Sequence, residues 1–364
     1  MTQPADFERI LLIAPSWVGD VVMATPAIRA LRRRFPQARI TALARQTGAD
    51  VLDGNPHLSR VVVAGRDGVG PETAGVRSLV RVLRTGDFDL ALVLPNSLRT
   101  ALLAWRAQAR VRVGYSGQFR SSFLTHPVPR PRERGRIVPI NMVDRYLALC
   151  AAAGCTELSK TEELFDSAQD RERADQILRS LGVGPADPLA VLIPGAAFGP
   201  AKLWGADKFA AVADRLIERH GFRVLAHVGP GEEEVGRQVV AASKRGVLLA
   251  PPGAVDLRVL KPVIRRAAVV IANDTGPRHY AVAFHVPNVA ILGPTSPRYI
   301  DVNLERTRLV QAHVDCGPCQ RKVCPRDHRC MTLVGPDQVL EAAESLLTAG
   351  TSTQSPYVRG VPRR

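Results

Sequence analysis

Apolar residues in this chain fall into short unbroken runs, and stretches with helical spacing separate one run from the next. Runs of four to six apolar residues bounded by turn residues read as strands buried on both faces. In the first half the expected strands lie at 10–14, 39–44, 61–64 and 89–94, with helices expected over 21–34, over 76–83 and after Pro95-Asn96-Ser97. Residues 127–139, rich in Pro and Arg, read as an extended surface loop. Helices over 142–152 and 168–181 follow. The alternation then resumes, with strands over 189–193, 223–228, 247–249, 268–272 and 288–292 and helices over 206–220 and 232–244.

Such βαβ series predict an α/β fold of two Rossmann-like, doubly wound parallel halves that can face each other across a cleft. With 364 residues the chain exceeds one ordinary core. The expected division is a first domain over 1–165, a second over 166–348, and a structureless tail over 349–364, which lacks periodicity. No apolar stretch approaches a membrane span, and the first apolar run is too short for the core of a signal peptide. A cytoplasmic protein is therefore expected.

Charge changes the picture in one place. The net charge is +15, and residues 99–136 hold nine arginines against one acid, Glu133. An excess of that density implies an anionic partner: nucleic acid, an acidic lipid surface or a phosphorylated substrate. Solvated surface charge is the plainer alternative.

Candidate chemistry gathers at predicted strand ends, where open α/β sheets bind ligands. Asp274-Thr275-Gly276-Pro277 closes one apolar run. There Thr275 and Gly276 would offer backbone N–H groups and a hydroxyl to a phosphate ahead of a helix that starts at Pro277. A second run ends in Pro194-Gly195-Ala-Ala-Phe-Gly-Pro-Ala-Lys202-Leu-Trp204, whose lysine could neutralise a diphosphate leaving group without a metal. A third ends in Gly229-Pro-Gly-Glu-Glu233, where an acid could hold ribose hydroxyls. Singly, Lys202 reads as a surface cation and Glu233 as a helix-start acid; together they favour a nucleotide-diphosphate site. His279 would sit on the first turn of the helix after Pro277, facing phosphate or sugar, or packed beneath the loop. Asp20 precedes the first helix and reads equally as its N-cap or as a general base for an attacking hydroxyl. Asp87-Phe88-Asp89 lies at a strand start, remote from the crevice, and reads as turn chemistry. Neither half carries Gly-x-Gly-x-x-Gly after a strand, and no Gly-Lys-Ser/Thr appears, which argues against dinucleotide redox chemistry and P-loop chemistry.

Cys316-x2-Cys319-x4-Cys324-x5-Cys330 has the density of a zinc knuckle, and reduced thiols in a local loop fit it as well.

At these residues the sequence resembles the bacterial heptosyltransferases of the lipopolysaccharide inner core, a glycosyltransferase family of the two-Rossmann GT-B type. The resemblance runs from Ile10 to about Leu347. It is carried by Pro15-Ser-Trp-Val-Gly-Asp20, Leu94-Pro-Asn-Ser-Leu-Arg-Thr-Ala101, the Pro194–Trp204 loop, Asp274-Thr-Gly-Pro-x-His279 and Gly293-Pro-Thr-Ser-Pro297. The first two segments, with the cysteine cluster, look most like the type II branch, which adds the second heptose.

The resemblance implies an inverting transfer from ADP-heptose to the first heptose of a Kdo–lipid A acceptor. Asp20 would be the base, Lys202 would bind the donor phosphates, Glu233 the ribose and Asp274 the heptose hydroxyls. Thr275 and Gly276 would contact pyrophosphate, and no metal cofactor would be required. The arginines, Arg99 and Arg120 among them, would meet acceptor carboxylates and phosphates at the anionic face of the inner membrane. Arg278 and Tyr280 depart from the family pattern, and a cation there would alter sugar specificity or bind a phosphate. A heptosyltransferase of type I or III, or a relative using another sugar or glycolipid, is the alternative within the class. A basic nucleic-acid-binding protein with a zinc-bound cysteine cluster is the alternative outside it. The basic stretch has few aromatics for base stacking, so no nucleic-acid partner is expected.

Overall fold

In the computed structural model, residues 6–64, 69–70, 73–117, 119–348 and 356–358 are described. The chain forms two compact units, residues 1–165 with 298–302 and residues 166–297 with 303–364.

The first unit is built from β1 (Arg9–Ile13), α1 (Val18–Met23), α2 (Thr25–Arg34), β2 (Arg39–Ala44), α3 (Gln46–Leu52), β3 (Arg60–Val63), α4 (Val76–Arg84), β4 (Leu90–Val93), α5 (Leu98–Arg106), β5 (Val111–Tyr115), β6 (His126–Val128) and α6 (Met142–Ala152). Its sheet is parallel throughout, in the order β3-β2-β1-β4-β5-β6. Both faces are covered, so Ile10, Leu11 and Leu12 on β1 are fully buried, as are Leu90, Ala91 and Leu92 on β4. This explains why the strands read as apolar runs rather than as alternation. The 298–302 segment returns to this unit, where Asn141 Nδ2 donates to Asp301 Oδ1 at 3.1 Å.

The second unit contains α7 (Ala168–Ser180), β7 (Leu189–Ile193), α8 (Ala206–His220), β8 (Arg223–Ala226), α9 (Glu233–Ala242), β9 (Leu248–Leu249), α10 (Leu260–Arg266), β10 (Val269–Asn273), α11 (Arg278–Ala283), β11 (Asn288–Leu292), β12 (Thr307–Gln311), α12 (Arg329–Thr332), α13 (Pro336–Thr348) and β13 (Tyr357–Val358). The sheet order β9-β8-β7-β10-β11-β12-β13 repeats the pattern of the first unit with one added strand, again all parallel. In each sheet the strand order reverses at one place, between β1 and β4 and between β7 and β10. Ligands of doubly wound sheets bind at that reversal.

Helix ends follow local chemistry. Ser167 Oγ accepts from the Asp170 N–H at 3.0 Å and starts α7, and Asn141 Oδ1 accepts from the Val143 N–H at 2.8 Å and starts α6. Gly221, at φ 65°, ends α8 in the left-handed conformation that a side chain would resist.

Three expectations are corrected. The first helix begins at Val18 with Trp17 as its cap, and a break at Ala24, just before Pro26, divides it in two. Within 127–139, Arg132–Glu133 pairs with Arg136–Ile137 as a short antiparallel hairpin rather than a plain loop. The tail carries one element where none was expected, because Tyr357–Val358 adds to the edge of β12. Residues 349–355 and 359–364 lie outside the described residues.

Candidate active site

The second unit brings its predicted residues together at the β7/β10 reversal. Lys202 arrives on the loop after β7 and Asp274 directly follows β10. The Lys202 Nζ donates to Asp274 Oδ2 at 2.7 Å and to the Asp274 carbonyl at 2.8 Å. Thr295 Oγ1 donates to the same carboxylate oxygen at 2.5 Å, and Arg278 Nε lies 3.6 Å from Oδ1. Burial would raise the Asp274 pKa, but Lys202, Arg278 and these hydrogen bonds reverse that and hold it well below the usual carboxylate range. One carboxylate between two cations leaves the cluster net positive at a strand end, which suits an anionic ligand.

Arg278 is fully buried as this partner of Asp274. Tyr280 is buried as well, its hydroxyl donating to the Leu257 carbonyl at 3.2 Å. His279 is buried on the same short helix. Pro277 caps that helix rather than opening it. The N–H of Asp274 goes to the Ile291 carbonyl and that of His279 to the Gly276 carbonyl, and Thr275 and Gly276 lie in the turn between β10 and α11.

Glu233 lies apart from this cluster. Its carboxylate folds back onto the Gly231 N–H at 3.1 Å, and the backbone N–H groups at the start of α9 lower its pKa. The neighbour Glu232 reaches the loop instead. It accepts from the Gly229 N–H at 3.0 Å, and a Cβ on Gly195 would collide with its carboxylate.

The cysteine-rich segment packs behind the Lys202 loop. Ala201 donates its N–H to the Lys322 carbonyl at 3.0 Å, while His328 Nε2 lies 2.8 Å from the Ala201 carbonyl. Lys202 and Lys322 both approach the Phe198 ring, at 5.0 and 5.9 Å from its centroid. Cys316, Cys319, Cys324 and Cys330 are free thiols. Among the described residues no three His, Cys, Asp or Glu side chains come together as a metal-ligand set. The segment as it stands is a buttress for the loop, a role that cysteine spacing does not announce.

In the first unit Asp20 lies in the first turn of α1, after β1 at the β1/β4 reversal. It is half-buried, and no side chain caps this helix, so the N-cap reading does not hold. Burial, and then the Asp20 charge, push the Tyr146 phenol on α6 well above its ordinary pKa.

Arg120 and Arg99 occupy different settings. Arg120 is fully buried, and its Nη1 donates to the Pro95 carbonyl at 2.6 Å in the loop after β4. Its Nε and Nη2 have no hydrogen-bond partner among the described residues. Burial, with the charges of Arg130 and Arg145, lowers its pKa to about 10. Arg99 is exposed on α5, at the wall of a cavity of about 410 Å³ that reaches from the ends of β1 and β2 to the Pro95–Ser97 loop.

Asp89 is structural. Its Oδ2 accepts the N–H groups of Glu8 and Arg9 at 2.9 Å each, and Arg110 pairs with Oδ1, at the sheet end opposite Asp20.

A family model described as glycosyltransferase family 9 (heptosyltransferase) matches residues 76–329, well over half of the chain. The chain belongs to glycosyltransferase family 9. It is therefore a glycosyltransferase. Lipopolysaccharide heptosyltransferase 2 of Salmonella typhimurium is 28% identical over 348 residues, covering 93% of this chain and 99% of that protein. Among solved structures, the E. coli ADP-heptose lipopolysaccharide heptosyltransferase II is 27% identical with a TM-score of 0.76, over 93% of this chain and 98% of its own. A family 9 glycosyltransferase from Veillonella parvula is 25% identical with a TM-score of 0.83, over 94% and 98%. The two-Rossmann GT-B architecture of this family 9 chain is that of these neighbours, and no helix among its described residues is long and apolar enough to cross a membrane.

Proposed function

We propose that this glycosyltransferase moves a heptose from ADP-heptose onto the first heptose of a Kdo–lipid A acceptor, with inversion. The observation that carries the reading is the Lys202–Asp274–Arg278 cluster at the strand reversal of the second unit, in a chain that matches heptosyltransferases of type II along nearly its whole length.

In this reading the diphosphate of the donor meets Lys202 and the N–H groups of Thr275 and Gly276, which stabilise the charge that grows on the leaving oxygen. Asp274, kept ionised by its two cations, accepts hydrogen bonds from heptose hydroxyls, and His279 backs the same turn. Glu232 takes the ribose role first assigned to Glu233, since its carboxylate is the one at the loop. Asp20 removes the proton of the acceptor hydroxyl as that oxygen bonds to the anomeric carbon. The bond from this carbon to the diphosphate oxygen breaks, and its electron pair leaves with ADP.

Acceptor anions have a physical reason to enter the first unit. A buried guanidinium with two unpaired donors, beside two further arginines, is costly until an anion completes it. A Kdo carboxylate or a phosphate supplies that partner to Arg120, with Arg99 at the mouth of the neighbouring cavity.

The test is turnover with ADP-heptose and a mono-heptosylated Kdo–lipid A acceptor, following released ADP and acceptor mass. One added heptose per acceptor is expected. Asp20→Ala should lower kcat on the order of 10² to 10⁴ with ADP affinity unchanged. A fully active Asp20→Ala enzyme rejects the assignment of the base.

A further inference from the structure

Lys322 has no place in the chemistry above, yet the fold ties it to the loop that carries Lys202. Its carbonyl accepts from the N–H of Ala201, the residue before Lys202, at 3.0 Å. Gly199 comes so close that a Cβ on it would lie 2.6 Å from the same carbonyl oxygen. The segment is held on either side of Lys322 as well. The Gln320 N–H donates to the Pro294 carbonyl at 2.9 Å, and His328 Nε2 lies 2.8 Å from the Ala201 carbonyl. These contacts fix the Lys322 backbone on the loop, and none of them uses the Lys322 side chain.

That side chain runs to the same place as the side chain of Lys202. Its ammonium stands 5.9 Å from the centre of the Phe198 ring, and the Lys202 ammonium stands 5.0 Å from it. The ring attracts each cation, but two like charges drawn to one ring repel each other. Asp274 is engaged with Lys202 and Arg278, and among the described residues no acid pairs with Lys322. An anion between the two ammonium groups would relieve this repulsion. Charge balance asks for the same extra cation. Lys202, Arg278 and Asp274 together leave about one net positive charge, whereas the diphosphate of a sugar nucleotide is a double anion and gains further charge as the nucleotide leaves.

We propose that Lys322 is a second ammonium of the donor-diphosphate site, delivered to it by the cysteine-rich segment. The inference rests on the reading of the β7/β10 reversal as the site of a nucleotide diphosphate. It goes beyond that reading by giving the segment a part in substrate binding, with its backbone bracing the Lys202 loop and its lysine facing the phosphates.

The experiment is calorimetric titration of the full chain with ADP and with adenosine, in wild type, Lys322→Ala, Lys322→Arg and Arg321→Ala. Alanine keeps the backbone carbonyl that accepts from Ala201, so the contact with the loop survives the change. Lys322→Ala should weaken ADP binding about tenfold, the size of one charge-assisted contact, and leave adenosine binding as in wild type. Lys322→Arg should recover most of the loss. Arg321→Ala removes the neighbouring exposed charge and should bind ADP as wild type does. Raising the salt concentration should narrow the gap between wild type and Lys322→Ala, because an exposed cation is screened. Unchanged ADP affinity in Lys322→Ala overturns the proposal. An equal loss for ADP and adenosine also overturns it and assigns the side chain to packing of the loop. Wild type that binds ADP no better than adenosine overturns the diphosphate reading of the site and this proposal with it. That result is read on wild type alone, so it is distinct from a failure of Lys322.

Discussion

Replacing Asp274 with Asn leaves Lys202 and Arg278 facing each other in a buried site with a neutral amide between them. Breaking a buried pair from one side costs roughly 3–5 kcal/mol, because the remaining charge has lost its partner. Asp274→Asn should therefore unfold at clearly lower urea concentration, and adding Lys202→Met should recover part of the loss. If the two changes simply add, the pair is not coupled as its geometry indicates. The sign with pH follows from the depressed pKa of Asp274. Its contribution is complete above the ordinary carboxylate range and is lost only as pH falls through its lowered folded value. At this scale the sequence was informative about residue type and less so about placement. A lysine and an Asp-Thr-Gly at successive strand ends pointed to a diphosphate site, and the cluster does bring Lys202 and Asp274 together. Arg278 as a counter-ion, the different contacts of Glu232 and Glu233, and the burial of Arg120 all depend on which way one side chain turns, and spacing holds no record of that.

Elements were legible where their ends carry a chemical signal and less so elsewhere. The helix over 206–220 matches α8 because Gly221 stops it, whereas the first helix was placed late because Asp20 looks like a cap and Trp17 does not. The cysteine segment reads equally as metal chemistry or as reduced thiols in a local loop, and the contacts described for it are those of Lys322 and His328 with the Ala201 backbone. One strand end carries its own titration. His227 follows β8, deeply buried, and burial lowers its pKa to about 4 from an ordinary 6.5. Between these values the unfolded chain binds the extra proton, so stability falls as pH drops through that window and is complete above it. The acid loss is roughly 3 kcal/mol if unfolding is two-state. His227→Leu should remove that slope in urea titrations across the window, and an unchanged slope would assign the acid sensitivity to other groups.

For the whole molecule, two sheets of like strand order put chemistry at two strand reversals, and this much follows from the alternation of apolar runs alone. The reaction class needed more, since doubly wound folds serve many activities, and it came from motif residues and family membership. The same architecture makes a prediction about metals. In the proposed reaction a diphosphate leaving group must be neutralised by something, and we assign that to Lys202, Arg278 and the Thr275–Gly276 N–H groups in place of a divalent ion. Turnover should therefore persist in EDTA and gain little from added magnesium. Lys202→Ala should weaken ADP binding by about tenfold or more, the size of a charge-assisted hydrogen bond, and magnesium should not restore it. Activity abolished by EDTA and restored by magnesium would show that the cations of the cluster serve the fold rather than the leaving group. A drop in melting temperature on chelation with turnover retained below that temperature would instead direct attention to the thiols of the cysteine segment, which lie behind the loop and outside the reaction.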